Sequence, residues 1–213
     1  TIGNYSRSVL RRLDKDRLSQ DDVRLAAQEI TEQTERASSI IKGVRAFARK
    51  RPMQVERVNI KEVCEGAVHL FTGMMSQPPQ VVQIVDLLEA EQVLSVDPVQ
   101  IQQALINLLK NAYDAMNEAD SQPQIIQLIL WAAHHDKRVN ITVQDSGPGL
   151  SAEAYDNLFE TFYTSKKDGL GLGLSVCRTI AEAHGGKLEA AAVTESLPVK
   201  ALGGASFTLS LPA

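Results

Sequence analysis

The spacing of apolar residues changes at Pro52, and that change limits the possible folds more than any other feature of the chain. Before it, Val23, Ile30, Ala37 and Val44 recur every seven residues, with Ala26, Ala27, Ile40, Ile41, Phe47 and Ala48 between them. Such a stripe specifies one long helix whose apolar seam must meet another helix. The pattern Ile2, Tyr5, Val9, Leu13 reads as the tail of a preceding helix over residues 1 to about 18, and Ser19-Gln20-Asp21-Asp22 supplies a turn and capping oxygens. Helices of this kind are marginal alone, so the pair is expected to meet a second copy of itself in a dimeric four-helix bundle. Packing of the long helix against the rest of its own chain is the alternative. Arg49-Lys50-Arg51 puts positive charge at the helix end and Pro52 stops it, which sets an expected first domain at 1–55 and a second at 56–213.

Beyond Pro52 the periodicity is mixed. Helical patterns cover about 60–75, 97–119, 151–158 and 171–184, and strand-like runs cover 81–88, 91–96, 124–134, 137–144, 187–193 and 204–211. Strands mostly in adjacent pairs, separated by helices, predict an α+β sandwich with helices on one face of a largely antiparallel sheet. The net charge of -4 offers no basic surface to neutralise a nucleic-acid backbone, so no nucleic-acid partner is expected. No run reaches the roughly 18 to 20 apolar residues of a membrane span, since Ile125 to Ala133 is short and interrupted by Gln127; no membrane contact by these residues is expected. Cys64 and Cys177 lie far apart in apolar helical settings, which reads as two buried, reduced thiols and a cytoplasmic location.

Three features of the second region carry chemistry. Asn107 and Asn111 sit four residues apart on one face of the apolar helix Ile101 to Met116, where a poor helix former has no structural reason to recur. A carboxamide oxygen can coordinate Mg2+ beside phosphate and water, although a pair of asparagines facing solvent gives the same pattern. Asp145-Ser146-Gly147-Pro148-Gly149 breaks a strand; its carboxylate can accept from an exocyclic amine and its glycines permit close approach, although a plain turn looks similar. In Thr164-Ser-Lys-Lys-Asp-Gly-Leu-Gly-Leu-Gly-Leu174, glycines at alternate positions run straight into a helix, an arrangement that offers N–H groups to phosphate, a flexible hinge being the alternative. The spacing of Gly169, Gly171 and Gly173 fits neither the dinucleotide-binding fingerprint nor a P-loop.

Taken in order, the asparagine pair, the Asp145 turn, Phe159-Glu-Thr-Phe162 with Thr164-Ser-Lys166, the alternating glycines and Gly203-Gly204-Ala-Ser-Phe207 resemble the N, G1, F, G2 and G3 boxes of sensor histidine kinases. Asp97-Pro-Val-Gln-Ile-Gln-Gln103 and Phe162-Tyr-Thr-Ser-Lys166 resemble most the FixL and DctB branch. The resemblance implies that residues 1–51 are the end of a homodimerising phosphotransfer bundle and that 56–213 form a Bergerat-type (GHKL) ATP-binding domain. It implies ATP and Mg2+ as cofactors, Asn111 on the metal, Asn107 beside the triphosphate, Asp145 on the adenine amine and Lys166 on the phosphates from a mobile lid. Asn107 and Lys166 are the implied catalytic pair. Gly147, Gly149, Gly169, Leu170, Gly171, Leu172, Gly173 and Ser206 complete the implied pocket. Thr161 stands where many relatives carry proline.

The implied reaction moves the γ-phosphoryl of ATP to a histidine and then to an aspartate on a response regulator. Residues 1–51 contain no histidine, and His69, His134, His135 and His184 read as structural. The chain begins at Thr1, already inside a helical pattern, so it reads as part of a longer protein whose acceptor histidine lies upstream; this piece is expected to bind ATP without phosphorylating itself. A clamp ATPase on the same fold would carry glutamate at Asn107, and a carboxamide cannot take a proton from water. A dimerisation scaffold that keeps its pocket for regulation is the third alternative.

Overall fold

The computed structural model describes residues 7, 19–48, 52–133, 137–160, 163–164, 171–192 and 198–213. The chain divides into two compact units, the long helix falling in one and residues 52 onward forming most of the other. In the first unit, α1 spans Gln20–Ala48. Its start is a reciprocal capping arrangement: the Asp22 N–H donates to Ser19 Oγ at 3.1 Å and the Ser19 N–H donates to Asp22 Oδ2 at 3.2 Å. Two first-turn donors are thereby satisfied where the helix has no intrahelical acceptors. Apart from Arg7, which is helical, the expected preceding helix lies outside the described residues, as do the side chains of Ala37 and Val44.

The second unit begins with β1 (Glu56–Asn59), followed by α2 (Ile60–Met74), β2 (Val81–Asp86), β3 (Val93–Val96) and α3 (Pro98–Glu118). The remainder is β4 (Ile125–Ala133), β5 (Arg138–Asp145), α4 (Ala152–Asn157), α5 (Gly173–Ala183), β6 (Lys187–Ala192) and β7 (Ala205–Pro212). Five strands form one sheet in the order β2-β4-β5-β7-β6, antiparallel except for the parallel pair β2 and β4. β1 and β3 pair antiparallel as a separate ribbon. β1 has no counterpart in the sequence reading: Glu-Arg-Val-Asn is too short and polar to register as a strand, and only its pairing with Val93–Val96 makes it one.

Strand alternation sorts the sheet into two faces. Ile126, Leu128, Leu130, Val139, Ile141, Val143, Phe207, Leu209 and Leu211 share one face and pack in a single core with Phe71 of α2, Leu105 and Leu108 of α3 and Cys177 of α5. The other face carries a polar ladder. The Trp131 indole donates to Thr142 Oγ1 at 3.0 Å, Thr142 and Thr208 share a hydroxyl bond of 2.9 Å, and Gln144 donates to Gln127 at 2.7 Å. The helices therefore lie on one face, as the pairing of strand-like runs anticipates, and α3 lies in the middle of the helical layer. Asp97 caps α3 by accepting from the Val99 and Gln100 N–H groups, and Pro98 follows at a position that needs no donor.

Candidate nucleotide-binding site

One face of α3 is wholly apolar: Ile101, Ala104, Leu105, Leu108, Leu109, Ala112 and Met116 are buried in the core. Asn107 and Asn111 flank that stripe, half-buried, at the seam with α5. The two helices run antiparallel in a fixed register. A Cβ on Gly173 at the start of α5 would lie 3.8 Å from Asn111 Nδ2, and one turn further along α5 the Cys177 thiol donates to the Ala104 carbonyl at 3.4 Å. Burial pushes the Cys177 thiol up to about 12, opposed by a hydrogen bond from the Asn107 carboxamide and another from its own backbone. Both asparagines are thus held against α5.

The start of α5 is arranged for an anion. Leu172 occupies the N-cap and has no side chain that can accept, so no side chain caps the first turn. Gly171, at φ +62, delivers the chain in a conformation other residues rarely adopt. Leu172 is buried and packs the turn. The first-turn N–H groups, which no described side chain caps, and the positive end of the helix dipole favour phosphate here, and the Asn111 carboxamide stands beside them.

At the C-terminal half of the same α3 lies the Asp145 turn. Asp145 ends β5, only 3% exposed, and its Oδ1 accepts from the Gly147 N–H at 2.8 Å and from the Ala205 N–H at 3.2 Å. Neither bond uses Oδ2, which keeps its acceptor capacity. Burial raises the carboxyl above the usual aspartate range, against the lowering effect of those two N–H donors. Space around it is closed. A Cβ on Gly204 would collide with Asp145 Oδ1 and carbonyl and come within 2.6 Å of the Gly147 nitrogen, and one on Gly147 would lie 3.3 Å from Met116 Cγ of α3. Ser146 ties the turn to the same helix through Met116 Sδ at 3.3 Å. Gly149 sits at φ +79.

Helical rise orders these groups. Asn111 lies about 7 Å before Met116 along α3 and Asn107 about 13 Å before it. The Asp145 carboxylate beside Met116 and the Asn111 and Asn107 carboxamides therefore succeed one another along the side of α3. The donor set suits a hard cation completed by phosphate and water. Among the described residues no group of three or more His, Cys, Asp or Glu could hold a metal unaided, so a divalent cation here would arrive with its nucleotide.

The alternation of β7 bears on Ser206. Ser206 pairs with Gln144, the neighbour of Asp145, so it belongs to the polar face of the sheet and not to the face that carries the Asp145 carboxylate. Its hydroxyl is buried without a protein partner. On the Asp145 side, the same stretch supplies the Ala205 N–H and the side-chain-free Gly204. Lys166, Gly169, Leu170, Thr161 and Phe162 lie outside the described residues, as do His134 and His135. Phe159 is half-buried against the core, with the Arg178 guanidinium 5.8 Å above its ring.

Residues 96–213 match the family described as Histidine kinase-, DNA gyrase B-, and HSP90-like ATPase. The chain belongs to that family. It is 36% identical over 193 residues to the sensor protein FixL of Bradyrhizobium diazoefficiens, a match covering 90% of this chain and 36% of that protein. The solved catalytic domain of the histidine kinase ThkA is 27% identical, with a TM-score of 0.61, covering 75% of this chain and 96% of that one. The crystal structure of ThkA in complex with the response regulator protein TrrA shares the fold over 99% of this chain and 56% of that one, at 23% identity and a TM-score of 0.69. These likenesses bear out the histidine-kinase resemblance and the α/β sandwich, with residues 96–213 as the part that matches the ATPase family. The chain spans about a third of the length of the FixL protein.

Proposed function

We propose that this chain binds Mg-ATP as the catalytic core of a two-component kinase and passes the γ-phosphoryl to a histidine that is none of the four in this sequence, from which it moves to an aspartate on a response regulator. The observation that carries the reading is the Asn111 carboxamide set against the uncapped start of α5. Asn111 would hold the cation, which supplies charge neutralisation at the phosphates. The first-turn N–H groups of α5 bind phosphate oxygens, Asp145 orients the base through its amine, and Asn107 faces the transferring group. Lys166, Gly169 and Leu170, which precede α5 in sequence, are assigned to the phosphates by the family resemblance alone. Phosphoryl transfer needs little covalent help from the protein, so positioning and electrostatics suffice.

A neutral carboxamide at Asn107 favours transfer to imidazole over attack by water, since it cannot deprotonate water. Basal ATP hydrolysis is therefore expected well below about 1 per second, the low end of ordinary enzyme turnover. The heptad stripe of α1 supports a homodimer, and the ThkA complex with TrrA supports a response regulator as the second partner. Among the described residues no helix is long and apolar enough to cross a membrane. Calorimetry with a non-hydrolysable ATP analogue tests the reading. Wild type should bind in the presence of Mg2+, and Asn111→Ala should lose the magnesium-dependent part of the affinity. Equal affinity with and without Mg2+ in both proteins refutes the assignment.

A further inference from the structure

At the opposite end of the α3–α5 pair from the proposed pocket lies a polar cluster that nucleotide binding does not use. Asp97, 0% exposed, is its centre. Its Oδ1 accepts from Val99 N at 3.1 Å and Gln100 N at 3.2 Å, capping α3, while its Oδ2 accepts from the Gln54 N–H at 2.8 Å. Its own N–H donates to His184 Nε2 at 2.9 Å. His184 is the C-cap of α5; because Nε2 accepts, the ring proton lies on Nδ1 and is donated to the Ile180 carbonyl at 2.8 Å. Among the described residues, three pieces of chain meet at one buried aspartate: the start of α3, the end of α5, and residue 54.

Gln54 lies six residues beyond Ala48, the last residue of α1, and two before β1, so a pull on the chain at residue 54 acts on Asp97. Helices are stiff. Asn111 is 14 residues from the cap, about 21 Å along α3, so a tilt of a few degrees at Asp97 shifts its carboxamide by about 1 Å. Misplacement of a positioning group on that scale is worth on the order of a hundredfold in rate. α5 cannot absorb the tilt independently, since His184 ties its far end to the same aspartate while Gly173 abuts Asn111.

We infer that Asp97 and His184 form a joint through which the segment leaving α1 sets the position of the two asparagines, so that the state of that segment and the affinity for nucleotide are thermodynamically coupled. Both are positioning residues and neither touches substrate. The inference rests on the nucleotide reading above. Coupling is reciprocal: if the tie at Gln54 favours the binding-competent arrangement, bound nucleotide must strengthen the tie by the same factor.

Amide hydrogen exchange on the whole chain, with and without a saturating Mg2+ complex of the non-hydrolysable analogue, reads this directly. Exchange at Gln54 should slow at least fivefold. The Leu88 amide, likewise held by an aspartate (Asp86, 3.1 Å) but outside the Asp97 cluster, should change much less. Two variants remove the tie from opposite sides. Gln54→Pro deletes the donor and leaves the cap intact; Asp97→Asn keeps a good capping side chain but turns an amide donor toward Gln54. Each should weaken analogue binding at least fivefold with thermal unfolding close to wild type, and Asp97→Asn should abolish the nucleotide response at Gln54. Wild type that binds with Gln54 and Leu88 responding alike, or folded variants of unchanged affinity, overturns the joint. Failure of wild type to bind at all overturns the nucleotide reading instead. Should either variant not fold, the wild-type exchange comparison decides alone.

Discussion

Asp145 illustrates how one side chain serves the turn and leaves an oxygen for a ligand. Its Oδ1 holds Gly147 and Ala205, and burial raises its carboxyl above the ordinary range. A group whose folded value is raised binds more protons than the unfolded chain, so its contribution to stability falls as pH rises through the interval above the usual aspartate value. Binding runs in the other direction, because reading an amine requires the carboxylate. Analogue affinity should therefore drop on acidification at a pH above that of an unperturbed aspartate, and Asp145→Asn should weaken binding and remove that pH dependence. An acid limb that survives in Asp145→Asn would assign it elsewhere. Gly204 makes the companion case: with Asp145 and Gly147 so near, Gly204→Ala forces the turn apart, at about 1–3 kcal/mol of stability by the usual cost of overpacking. Chemical denaturation measures that loss, and a neutral result would show the turn to be compliant.

At the level of elements, α3 and the glycine-rich approach to α5 were legible because their chemistry conflicts with their surroundings. Two asparagines in a leucine-rich helix and glycines abutting a helix start have no local structural purpose. What stayed illegible depends on pairing across the sheet. β1 exists only through β3, and Ser206 could be told from Ala205 only by the register of β7 on β5. The Asp97–His184 contact joins residues 87 apart, and no local pattern announces it. Seam chemistry between α3 and α5 yields its own prediction. Cys64 and Cys177 are both free and buried, and burial pushes both thiols upward, Cys177 to about 12. Native thiols stay protonated where unfolded thiols ionise, near pH 8.5, so the unfolded chain binds fewer protons and stability should decline as pH climbs from there toward 12. Neither thiol should react with a disulfide-exchange reagent at pH 8 until urea is added. Rapid labelling of the folded chain would show that the seam opens.

On the scale of the whole molecule, α1 decides the assembly. The helix carries a heptad stripe, yet Val23 on it is 46% exposed and Ile30 only partly buried within one chain. Burying such a side chain fully stabilises by about 1.5–3 kcal/mol, so a second copy pairing along the stripe gains from every heptad. Residues 52 onward, in contrast, hold a continuous core of their own and the complete set of described pocket groups. Dimerisation and nucleotide binding should therefore separate cleanly under mutation. The 23.3 kDa chain should sediment as a dimer at micromolar concentration. Val23→Asp combined with Ile30→Asp should convert it to a monomer whose affinity for the Mg2+ complex of the analogue stays near the wild-type value. A wild-type chain that remains monomeric at every concentration would return the stripe to the alternative of packing within its own chain, and a monomeric variant that no longer binds would mean that the pocket depends on the dimer.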